Sequence, residues 1–210
     1  MGLSDPADLV ELLVARATGQ PDAVGYVFTD GDGAELAPTY RELDAAARAA
    51  AAHLQANGVE PGDRVLLLHP PGASYVTAFF GCLYAGAVAV PVYPPTNSAG
   101  IARVLAVAED CAATVAMTDE AILPAVQERL GGRSLRWLVP TGTETGWSRP
   151  ALTPDTIAFL QYTSGSTATP KGVLLSHGNL LHNSAVISGV LARTSTRAAS
   201  AGCRRTTTWA

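Results

Sequence analysis

The chain has 210 residues, 48% of them hydrophobic and 15% charged, with a formal net charge of −4. That length and apolar content can bury a real core, and the acidic balance argues against nucleic acid as the main partner. No apolar run has the roughly 20 residues that span a bilayer, and residues 1–6 lack the basic start and apolar centre of a signal peptide, so a cytoplasmic protein is expected.

The first helix is expected to start near Asp5-Pro6, with Leu9, Leu12 and Leu13 as its apolar face. Residues 23–28 read as a strand closed by a Gly/Asp turn at 30–33. A long alanine-rich helix follows to about Asn57-Gly58, with Thr39 and Glu42 as a capping box and Gly58 at its C-terminal stop. The turn Pro61-Gly62-Asp63 leads into Arg64-Val65-Leu66-Leu67-Leu68, a run typical of a strand covered on both faces. The alternation then repeats: helix 74–84, strand 88–92, helix 99–110, strand 113–117, helix 121–130 and strand 135–139. Such alternation implies an α/β fold, a mainly parallel sheet with helices on both faces. Residues 140–154 are rich in Thr, Gly, Ser and Pro and read as a surface loop.

The chemistry is concentrated further on. A strand over 157–162 runs into Thr163-Ser164-Gly165-Ser166-Thr167-Ala168-Thr169-Pro170-Lys171-Gly172, followed by a second strand at Val173-Leu174-Leu175 and a helix from Asn179 that Ser176 or His177 can cap. Gly165 and Gly172 let the backbone approach a ligand, and successive loop N–H groups can form an anion-binding concavity. Lys171 is the only lysine in the chain, and a compact ammonium suits phosphate oxygens. The competing reading is a Ser/Thr/Gly turn between two strands, which the flanking apolar strands and the lone lysine weigh against. A nucleotidase P-loop is excluded, because it needs Gly-Lys-Ser/Thr, whereas here Pro170 precedes Lys171 and Gly172 follows it.

Residues 162–172 resemble the phosphate-binding signature of the adenylate-forming superfamily, which includes acyl-CoA synthetases, luciferases and peptide-synthetase adenylation domains. Ala168 departs from it, standing where glycine is usual. Thr39-Tyr40-Arg41-Glu42-Leu43, Pro61-Gly62-Asp63-Arg64-Val65, residues 79–86 running to Pro91-Val92-Tyr93-Pro94-Pro95, and Leu160-Gln161-Tyr162 are similar to the fatty-acyl-AMP ligase branch. The resemblance covers residues 5 to about 190 and implies the N-terminal part of an AMP-binding domain over residues 1–192. It implies ATP as substrate with magnesium, a fatty acid as acyl donor, and transfer to an acyl carrier protein or polyketide synthase in lipid biosynthesis. Thr163, Ser164, Gly165, Ser166, Thr167, Lys171 and Gly172 would bind the ATP phosphates. An acyl-CoA synthetase fragment and a non-catalytic module with residual phosphate affinity stay open as alternatives. No catalytic residue and no metal ligand is assigned: His53 and His69 have nothing acidic arranged nearby in sequence, His177 after the second strand reads as satisfying a local hydrogen bond, His182 falls within the next helix, and Cys82, Cys111 and Cys203 form no metal-type pair.

Residues 193–210 do not resemble the family, whose members are much longer. Reverse-translated with free third bases and read from the third base of the Ala201 codon, the stretch 201–210 spells Trp-Leu-Pro-Pro-Tyr-His-Asp-Met-Gly, a family segment. The expectation is a frame slip between about Leu191 and Arg197, a disordered tail after it, and a truncated product without activity. Sequencing the gene is expected to show that segment in the shifted frame with the family's open frame continuing downstream; its absence would overturn the slip.

Overall fold

The structure, a computed structural model, describes residues 6–29, 35–131, 135–140, 145–163 and 170–199, the last ten of these as backbone alone. The chain runs α1 (Leu9–Gly19), β1 (Phe28–Thr29), β2 (Glu35–Leu36), α2 (Tyr40–Ala56), β3 (Arg64–Leu68), α3 (Ala73–Ala85), β4 (Val88–Pro91) and α4 (Ser98–Asp110). It continues with β5 (Val115–Thr118), α5 (Leu123–Leu130), β6 (Arg136–Leu138), β7 (Ile157–Thr163), β8 (Lys171–Ser176) and α6 (His177–Ala199). The main sheet has the order β6-β5-β3-β4-β7-β8. All its pairings are parallel except β7 with β8, which is antiparallel.

β3 shows why the sheet is buried on both sides. Val65 and Leu67 point into a core built by α1, α2 and α3, whereas Leu66 and Leu68 point into a second core under α4 and α5. All four are at most 1% exposed, so a continuous apolar run is what this position requires. Each such side chain contributes about 1.5–3 kcal/mol relative to exposure. In β7 the phase changes. A register shift between Ile157 and Phe159 leaves Ala158 and Phe159 both on the α1–α3 side, and turns Leu160 and Tyr162 towards α4.

The helix ends follow local chemistry. Thr39 caps α2 in a full capping box: Glu42 N–H donates to Thr39 Oγ1 at 3.3 Å, and Thr39 N–H donates to Glu42 Oε2 at 2.8 Å. α1 begins later than expected, because Asp8 rather than Asp5 is its cap, accepting from Glu11 N–H at 2.7 Å. The expected strand over 23–28 reduces to Phe28–Thr29 and one isolated bridge from Val24 to Thr39. Val24, Tyr26 and Val27 are exposed, so the segment's apolar content is not matched by a sheet to bury it against. Ser176 caps α6, its Oγ accepting from Asn179 N–H at 3.2 Å. α6 continues through Ala199, past the expected 192/193 boundary, and residues 200–210 lie outside the described residues, as does the turn at 30–33.

Residues 145–154 form no helix or strand but are tied to the α2–α3 pair. Trp147 Nε1 donates to the Tyr84 carbonyl at 2.8 Å, and the Arg48 guanidinium lies 4.3 Å from the Trp147 ring. Arg48 is itself bonded to Asp44, which also accepts from the Tyr84 hydroxyl at 2.6 Å. Among the described residues no helix is long and apolar enough to cross a membrane.

α2 and α3 meet so closely that Gly81 has no room for a side chain: a Cβ there would lie 2.6 Å from Ala50 Cβ. Gly81→Ala is therefore expected to cost about 1–3 kcal/mol through overpacking, read as a lower urea midpoint. Ala50→Gly in the same chain should recover part of the loss, and an unchanged midpoint in Gly81→Ala would contradict this contact.

Candidate phosphate-binding site

Parallel strands present their carboxyl ends along one edge of the sheet, where α/β proteins hold ligands. Here a cavity of about 680 Å³ opens beyond β3, β4 and β7. Its apolar wall is made by Leu67, Tyr75, Val92 and Tyr93, and its polar wall by Asn97, Gly100 and Arg103 from the start of α4 with Gln161 and Tyr162 from the end of β7. Asn97 caps α4, accepting from Gly100 N–H at 2.8 Å, so the positive end of a 13-residue helix faces this space.

β7 and β8 form the hairpin that carries the candidate loop. Their last rungs pair Tyr162 with Gly172 and Thr163 with Lys171. Thr163, Lys171 and Gly172 are exposed, so this rung of the hairpin is accessible from solvent. Ser164, Gly165, Ser166 and Thr167, the other residues assigned to phosphate, lie outside the described residues. Tyr162 is buried, and its hydroxyl donates to Asp110 Oδ2 at 2.5 Å. Burial pushes the phenol pKa up, and the Asp110 bond adds to the shift, so the proton stays on oxygen through the physiological range.

Two buried histidines acquire partners that spacing did not reveal. His69 stands in the wall between the main cavity and a smaller one, with Nδ1 3.1 Å from Asp119 Oδ1. The two residues are 50 positions apart, but each directly follows its strand, and β3 and β5 are in register with Leu68 opposite Thr118. Ser74 Oγ donates to the other Asp119 oxygen at 3.1 Å. His69 Nε2 is buried with no partner among the described residues. His177 does satisfy a hydrogen bond, but with a distant segment: its Nδ1 accepts from Leu9 N–H at 3.2 Å and joins the start of α1 to the start of α6. His182 is exposed on α6. Cys82 and Cys111 are buried free thiols, Cys82 held protonated by burial, and Cys203 lies outside the described residues.

The family model for the AMP-binding enzyme matches residues 13–203. The chain belongs to the AMP-binding enzyme family. Among its relatives in that family, the medium-chain-fatty-acid–[acyl-carrier-protein] ligase JamA of Moorena producens (strain JHB) is 39% identical over 192 residues, 85% of this chain and 32% of JamA. The crystal structure of the fatty acid AMP ligase from Legionella pneumophila matches with a TM-score of 0.79 at 37% identity, over 84% of this chain and 31% of that one. A fatty acyl-adenylate ligase from L. pneumophila, solved with acyl adenylate and pyrophosphate, matches with a TM-score of 0.76 at 36% identity, again over 84% and 31%. The chain thus spans about a third of the length of these relatives, and the resemblance to fatty-acyl-AMP ligases is borne out together with the α/β fold.

Burial lowers the pKa of both His69 and His177, while Asp119 and Asp8 respectively oppose the shift without reversing it. A histidine with a depressed folded pKa contributes stability that is complete above its unfolded value of about 6.5 and is lost as pH falls through the folded value. The unfolding free energy from urea titrations is therefore expected to fall between pH 7 and pH 5, by at most about 1.4 kcal/mol per pH unit for each histidine. His177→Asn, which keeps an acceptor for Leu9 N–H but cannot titrate, should flatten that fall; the same pH dependence in both proteins would contradict it.

Proposed function

We propose that the chain is the nucleotide-phosphate-binding part of a fatty-acid adenylating ligase. The single observation that carries this reading is the β7–β8 hairpin, which rises from the carboxyl edge of a parallel sheet and sets Thr163 and the only lysine, Lys171, side by side at the base of a Gly/Ser/Thr loop. Thr163, Ser164, Gly165, Ser166, Thr167, Lys171 and Gly172 would hold the outer phosphates of ATP. In the proposed reaction a fatty-acid carboxylate attacks the α-phosphorus, the bond to the bridging oxygen breaks, and pyrophosphate leaves. Negative charge grows on the leaving group, and loop N–H groups with the Lys171 ammonium would neutralise it.

The acceptor reading rests on likeness to JamA, whose name specifies an acyl-carrier-protein ligase. The acyl group of the adenylate would then pass to a carrier-protein thiol, with AMP as leaving group. Among the described residues no group of three or more His, Cys, Asp or Glu side chains is gathered as a metal site; magnesium would be expected to accompany the nucleotide phosphates.

Charge-assisted hydrogen bonds are worth about 1.5–3 kcal/mol. Calorimetry with pyrophosphate and with MgATP is therefore expected to show at least about tenfold weaker binding for Lys171→Ala than for the unsubstituted chain. Equal affinities would remove the lysine from the site. The chain spans about a third of its relatives' length, and that supports binding without turnover: no ATP–pyrophosphate exchange is expected with medium- or long-chain fatty acids. Clear exchange by the purified 210-residue chain would refute this second statement and leave the first standing.

A further inference from the structure

The rung from which the candidate loop springs has little packing of its own. Thr163 and Lys171 are exposed, and β8 is the edge strand of the sheet with residues 171–174 exposed along it. An edge hairpin without a packed face is only marginally ordered. One residue inward the situation reverses, because Tyr162 is 5% exposed and is held from three directions.

Its hydroxyl donates to Asp110 Oδ2, its carbonyl accepts from the Arg103 guanidinium at 3.4 Å, and its ring lies flush with Gly172 on the partner strand. A Cβ at Gly172 would stand 3.0 Å from Tyr162 Cζ, so the ring occupies the space a side chain would need. Asp110 is the last residue of α4, at the negative end of that helix, where a carboxylate is disfavoured unless a donor compensates. The Tyr162 hydroxyl is that donor. The register shift in β7 is what turns Tyr162 to the α4 side in the first place.

We propose that Tyr162 is a positioning residue for phosphate binding: clamped by Asp110 and Arg103 of α4 and packed on Gly172, it fixes the Thr163–Lys171 rung and so aims the Lys171 ammonium. This rests on the phosphate-binding reading of the loop, with Tyr162 acting through Lys171 rather than touching the nucleotide. Because the phenol keeps its proton, the clamp holds across the pH range in which nucleotides bind.

Two readouts test it on the whole chain. Tyr162→Phe is expected to speed amide hydrogen exchange at Thr163, Lys171 and Gly172 while leaving exchange in β3 and β4 unchanged. The same variant should weaken inorganic pyrophosphate binding about five- to tenfold, the loss that one hydrogen bond commonly represents. The double variant Tyr162→Phe/Asp110→Asn should bind no more weakly than Tyr162→Phe, since both act through one bond. Unchanged affinity and unchanged exchange in Tyr162→Phe would overturn the proposal while leaving the Lys171 site intact. Additive losses in the double variant would overturn it too, because the two residues would then act separately. Faster local exchange without any pyrophosphate binding by the unsubstituted chain would remove the phosphate site and, with it, this role for Tyr162.

Discussion

Burial of both faces of a parallel sheet is the constraint from which the rest of the molecule follows. A strand such as β3 has no solvent side, so helices must cover each face, and each helix must return the chain to start the next strand in the same direction. The carboxyl ends of β3, β4, β5 and β7 therefore gather on one edge. The main cavity, the His69–Asp119 pair and the hairpin carrying Lys171 all sit there.

α4 serves this edge twice. Its N-terminus, capped by Asn97, faces the cavity, and its C-terminal Asp110 grips Tyr162. The same helix buries Val104, Val107 and Ala108 against the second face of the sheet, so its position is set by packing rather than by the site. That arrangement suits an anion-binding loop, which needs donors already in place, since donors that must be ordered on binding give up part of the affinity they provide.

Much of this was legible in the residues themselves, and the reasons differ by element. The run Arg64 to Leu68 announced a doubly covered strand because no polar residue interrupts its last four positions, and Thr39 with Glu42 announced a helix start because the capping box is a local device. Residues 23–28 misled because β-propensity describes a fit to a neighbouring sheet: among the described residues the segment pairs only through the Val24 bridge and at Phe28, in the two-stranded β1–β2 sheet, and Val27 is 58% exposed. Asp5-Pro6 misled for a related reason. Asp8 caps α1 and is buried against Arg149, a contact 141 residues away that no local pattern encodes. The His69–Asp119 and Tyr162–Asp110 pairs were missed alike, because strand register and helix placement, not spacing, bring them together.

The account turns on where the phosphates bind. A crystal structure of the chain with pyrophosphate decides it most directly. The predicted result is pyrophosphate within hydrogen-bond distance of Lys171 Nζ, beside Thr163, at the end of the β7–β8 hairpin. Pyrophosphate seated elsewhere, with Lys171 turned to solvent, would contradict the assignment.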